Sequence, residues 1–270
     1  MVNSFHRLTL YLLTLWAGCM VCLAQHVEGR PVRILTPTDG CRIWVDGKDA
    51  GPSPHIALLT EGRHTIFALR EDGMYSEVVR LSVPRGEGEL PRVMLKFHEY
   101  VDLQLPSGTL WATTNVGASS PEDPGNYFAW GETHPVDSLT SANYTFKTQF
   151  TAKDDAATVN WGPSWQTPTI EQLKELVDVH NTMTLWTTQD GINGLLIKSR
   201  KNGLSLFLPA SGFSHDGLEK DRGMVGSYWS STNGDAYLNG AHLLYFLDTD
   251  TYTDFNDRFY GHCVRPVVRR

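Results

Sequence analysis

Residue pairs that favour a tight turn recur along this chain and restrict it to short strands. Asp46-Gly47 closes the alternating run Cys41–Lys48. Asp72-Gly73 separates His64–Arg70 from Tyr75–Val83, and Asn202-Gly203 separates Leu195–Arg200 from Leu204–Ala210. Such steps favour hairpins because the central residues of the turn need positive φ, which Gly adopts freely and Asp or Asn at small cost. Gly51-Pro52-Ser53-Pro54 is a further break, since proline has no amide hydrogen to give a ladder. With 24 Gly and 14 Pro in 270 residues, the chain is expected to be α+β and mostly β. One helix is expected after Thr169. Thr169 and Gln172 form a capping box, and Ile170, Leu173, Leu176 and Val177 share a face that should run to about Val179–Asn181.

Residues 1–24 read as an export signal. His6 and Arg7 precede the apolar run Leu8–Leu15, which is too short to span a bilayer, and cleavage after Ala24 is expected. Ala17-Gly18-Cys19 offers the alternative of a lipid anchor at Cys19. Either route takes the chain to the cell envelope, the outer surface or the medium, with no transmembrane helix in the mature protein. Loss of Arg7 moves the formal charge from −7 to −8, and an acidic chain without a basic stripe is a poor partner for nucleic acid. Cys19 and Cys22 fall in the removed segment. That leaves Cys41 and Cys263, read as two buried thiols, with a disulfide as the alternative.

Residues 28–97 read as a small β-sandwich and 98–270 as a second, mostly β domain. The order WVDGK, AGPSP and LTEGRHTI resembles the PEGA domain, a β-sandwich module of exported bacterial proteins, which implies a spacer or adhesion role. From Glu99 to Arg269 the chain resembles the Fibrobacter succinogenes major paralogous domain, common in exported proteins of gut Bacteroidetes. The motifs are YVDLQLPSGTLWATTNVGA, YFAWGE, DDAATVNWGPSWQTPT, NGLSLFLPASG, SYWSST and CVRPV. That resemblance implies a C-type-lectin-like fold shared with sulfatase-modifying factors. Thr114, Gln166-Thr167 and Thr184-Leu185-Trp186 depart from the family pattern.

The sulfatase-modifying relatives use a cysteine-based copper site, and Cys263 has no second Cys in its domain to pair with. The expectation is therefore a non-enzymatic binding or adhesion protein for a glycan or another protein. A structural subunit of a surface assembly and a sulfatase-modifying type of enzyme are the alternatives. Trp165 and Trp186, flanked by polar residues, are the candidates for a surface platform that stacks on sugar. Trp111, Trp130 and Trp229 are expected in the core. Asp248, Asp250 and Asp254 are the one acidic cluster that could suit calcium. They lack the EF-hand pattern, and a solvated hairpin with Asp248, Asp250 and Tyr252 on one strand face is the preferred reading. No cofactor is expected. Ser211 lacks the setting of a nucleophile elbow, and the His residues lack zinc spacing. Residues 99–132 are expected to act as a scaffold, with binding placed in the irregular segments 133–152 and 214–226.

Overall fold

The computed structural model describes residues 29–86, 88–135, 140, 142–147, 149–234 and 239–269. The expected export signal and the possible anchor at Cys19 lie outside them. The fold is α+β and mostly β, as expected. In the first part, β1 (Arg30–Leu35), β4 (His55–Leu59) and β7 (Val93–Met94) form a sheet in the order β4-β1-β7. A second sheet, β3-β2-β5-β6, contains β2 (Arg42–Val45), β3 (Lys48–Pro52), β5 (Gly62–Leu69) and β6 (Val79–Val83). Asp46 (φ 50°) and Gly47 (φ 74°) link β2 to β3 with both residues left-handed, the turn their identities favour. Alternate residues point inward, so Val32, Ile34, Ile43, Leu59 and Ile66 from both sheets share one core with Cys41.

The second part holds a four-stranded sheet ordered β10-β19-β9-β8, from β8 (Tyr100–Asp102), β9 (Leu110–Ala112), β10 (Trp165–Gln166) and β19 (Val267–Val268). Two antiparallel meanders join it. One is β11 (Thr182–Gln189), β12 (Ile192–Ser199) and β13 (Ser205–Pro209). The other is β16 (Val225–Asn233), β17 (Gly240–Leu247) and β18 (Thr251–Asp257). A hairpin, β14 (Phe213–His215) and β15 (Leu218–Lys220), lies between them in sequence.

Two helices are present among the described residues, where the sequence pointed to one. The short α1 (Ala156–Trp161) is too brief to show a period, but Asp155 caps it by accepting from Ala157 N. In α2 (Ile170–Val177) the capping box of Thr169 and Gln172 forms as expected, and Ile170, Leu173 and Leu176 are buried. It stops at Val177, two residues short of the expected range. Strand β11 was also not foreseen. Its hairpin to β12 turns at Asp190 (φ 46°) and Gly191 (φ 80°), a further Asp-Gly step.

Residues 99–132 knit the domain together. Val116 N donates to Val264 O at 3.0 Å, and Phe128 exchanges backbone bonds with His262. Trp229 Nε1 donates to Phe128 O at 2.7 Å and Trp130 Nε1 to Ser230 O at 2.9 Å. Trp111, Trp130 and Trp229 are all core residues, as expected. The first part docks through Met74, which is buried in the second part's core beside Trp161 and Trp165. Tyr75 N donates to Ser164 Oγ at 3.0 Å across the same junction. His98 stacks on Trp161 with ring centres 3.5 Å apart. Among the described residues no helix is long and apolar enough to cross a membrane.

Candidate functional site

Of the two tryptophans expected at the surface, Trp165 is not available there and Trp186 is only partly so. Trp165 is 0% exposed, with Trp161 edge-on at 5.3 Å. Two of its polar neighbours, Ser164 and Thr167, misled because they are buried as well. Thr167 donates through Oγ1 to Asp155 Oδ1 at 2.7 Å, and its amide donates to the same carboxylate. Trp186 is half-buried on β11 and turns its ring toward Phe246 at 6.3 Å, against the core. The acidic cluster does form a hairpin, but the strand begins at Thr251. Asp248 and Asp250 therefore lie in the β17–β18 turn, and only Asp254 is on β18. Asp250 Oδ1 accepts from Thr251 N and Asp254 Oδ1 from Phe255 N, so these carboxylates serve their own backbone. Among the described residues no three His, Cys, Asp or Glu side chains are grouped to hold a metal.

An aromatic face is assembled elsewhere. Asp216 (φ 51°) and Gly217 (φ 73°) make the tight turn of the β14–β15 hairpin. The turn after β18 carries Phe259 and Tyr260. Ser214 and Gly261 exchange two backbone hydrogen bonds, of 2.7 and 2.8 Å, and this bridge clamps the hairpin to that turn. As a result His215 stacks on Tyr260 with centres 4.3 Å apart and planes 20° from parallel. Phe259 lies 5.0 Å and Phe213 5.9 Å from the Tyr260 ring. All four side chains are partly exposed. His215 belongs to the 214–226 segment where binding was expected. The unread signal was the Asp-Gly step inside Phe213–Leu218.

Behind this face His262 is buried, edge-on to Trp229 at 4.4 Å. Burial pushes its imidazole down to about 3, so the ring is neutral. Its tautomer follows from its neighbours. Asn256 Oδ1 accepts from Asp257 N, which leaves Asn256 Nδ2 to donate to His262 Nε2 at 3.1 Å. Nδ1 therefore carries the proton and donates to Ser227 Oγ at 2.6 Å. A general base would have to accept from the serine, so this pair is wired the wrong way for a nucleophile. The arrangement is a rigid backing that fixes the aromatic face.

A polar cleft of about 470 Å³ opens where the two parts meet, lined by Glu77, Lys96, His98, Thr113, Ser119 and Trp161. Cys41 and Cys263 are both buried and free. Cys263 Sγ donates to Pro124 O at 3.2 Å, and burial pushes its thiol up to about 12.

No family model, no curated protein and no solved structure matches this chain.

Proposed function

We propose that this protein is an exported, non-enzymatic glycan-binding protein of the cell surface or medium. In this reading the lectin-like second part binds and the PEGA-like first part is its spacer. The observation that carries the reading is the His215–Tyr260 stack flanked by Phe213 and Phe259, held by the Ser214–Gly261 bridge. A sugar ring presents apolar C–H faces that stack on aromatic rings, while its hydroxyls seek polar groups at the rim. Asp216, whose Oδ2 is 3.6 Å from His215 Nδ1, supplies such a rim group. The high thiol pKa of Cys263 and its bond to a carbonyl support a packing role rather than copper chemistry.

A glycan array probed with the mature chain, followed by titration of the strongest ligand, tests the reading. Tyr260→Ala should weaken binding about 10-fold or more, consistent with loss of an aromatic contact. An array without ligands, or a Tyr260→Ala variant that is folded and binds equally well, would overturn it.

A further inference from the structure

The second part is strongly acidic. Residues 98–270 hold twelve Lys and Arg against twenty Asp and Glu, whereas residues 29–97 hold ten against nine. Lys198, Arg200 and Lys201 place three of those twelve cations within four positions. Arg200 and Lys201 line an open cleft of about 510 Å³ with Gln104, Pro106, His180 and Asn181.

Arg200 is anchored in this cleft. Its backbone amide donates to Asn181 O at 2.9 Å, and its Nε donates to Val179 O at 2.7 Å and to Thr182 O at 3.1 Å. The guanidinium is thus oriented by one nitrogen, while both Nη groups have no partner among the described residues. The same holds for Lys201 Nζ and for the Gln104 side-chain amide. Gln104 lines the cleft with φ 52°, a left-handed backbone uncommon for a non-glycine residue. Asp102 Oδ1 holds it there by accepting from Gln104 N at 2.8 Å.

The carboxylates on the surrounding elements are engaged elsewhere. Asp102 holds Gln104, Asp178 accepts from His180, and Glu175 Oε1 accepts from Ser107 N at 2.8 Å. None of them meets Arg200 or Lys201. An arginine fixed through Nε with free Nη donors matches the paired oxygens of a carboxylate or sulfate, and a nearby ammonium adds charge without directional demand.

We propose that this cleft binds an oxyanion, a carboxylate or a sulfate, with Arg200 as the fork, Lys201 as the second cation, and Gln104 as a neutral donor. The cleft and the aromatic face lie toward opposite ends of the β12–β13 hairpin. The proposal therefore stands apart from the glycan reading.

Calorimetric titration of the mature chain with sulfate and with glucuronate, at ionic strength fixed by sodium chloride, tests it. Saturable millimolar binding of either anion is expected, with none of glucose. Binding of sulfate alone points to a free inorganic ion, and binding of glucuronate to an acid group borne on a larger ligand. Arg200→Gln should weaken binding at least 10-fold and Lys201→Gln about 3-fold, while Lys153→Gln leaves it unchanged. Lys201 makes no side-chain bond among the described residues, so its variant keeps the test alive if Arg200→Gln misfolds. No saturable binding, equal affinity in a folded Lys201→Gln variant, or an equal loss in Lys153→Gln would overturn the proposal.

Discussion

Arg265 Nε donates to Asn115 Oδ1 at 2.8 Å, joining residues 150 positions apart at a site that is 1% and 0% exposed for the two partners. No carboxylate is paired with this arginine among the described residues. Its other hydrogen bond among the described residues runs from Nη1 to Ala112 O at 3.3 Å. A buried guanidinium held by neutral acceptors depends on each of them. Asn115→Ala should cost roughly 3 kcal/mol, because it leaves a buried charge short of an acceptor. Urea unfolding measures this, and a loss below 1 kcal/mol would mean the arginine finds water instead.

His98 should make the protein sensitive to acid. Burial holds its imidazole down to about 4, whereas an unfolded histidine titrates near ~6.5. Between those values the unfolded chain binds more protons than the folded one, so stability falls as pH drops through that window. His98→Phe keeps a ring against Trp161 and removes the titration. The variant should lose less stability than the parent between pH 7 and pH 4.5. Buried His262 continues to titrate, so the flattening is partial. Equal losses in parent and variant would show that His98 is solvated.

Gly226→Ala should be severe. The two residues are directly paired across β16 and β17, and an added Cβ would come within 1.9 Å of the Phe246 ring. Gly226 has an ordinary backbone conformation, so the cost is steric rather than torsional. About 3 kcal/mol is expected, at the upper end of typical overpacking penalties. Adding Phe246→Leu should recover part of that loss, a non-additivity that a double-mutant cycle reads directly.

Neither Cys41 nor Cys263 should react in the native protein. Iodoacetamide at pH 8 is expected to leave both unmodified until denaturant is added, and then to label both. Reductant should leave the melting temperature unchanged. Rapid native labelling of Cys263 would contradict its burial.

The sequence was most legible where structure is local. The Asp46-Gly47 turn and the Thr169–Gln172 box follow from side chains acting on their own backbone. Trp165 was misread because polarity in its immediate neighbours does not reveal burial. Asp155, twelve residues before Thr167, satisfies that polarity inside the fold. The aromatic face was hidden for a related reason. His215 and Tyr260 meet only because Ser214 and Gly261 bridge two distant segments, and no spacing rule encodes such a contact. Cues for α1 and β11 were present, in the Asp155 cap and the Asp190-Gly191 turn, but a six-residue helix and a half-buried edge strand show little periodicity.

The position of β19 between β10 and β9 has a consequence for biogenesis. One of the two inner strands of that sheet is drawn from Val267–Val268, so a chain emerging from a ribosome cannot complete the sheet until those residues are out. The strands before Phe97 need nothing from beyond them for their own sheets and are free to form earlier. The first part can therefore fold during synthesis while the sheet of the second part still waits for its last residues.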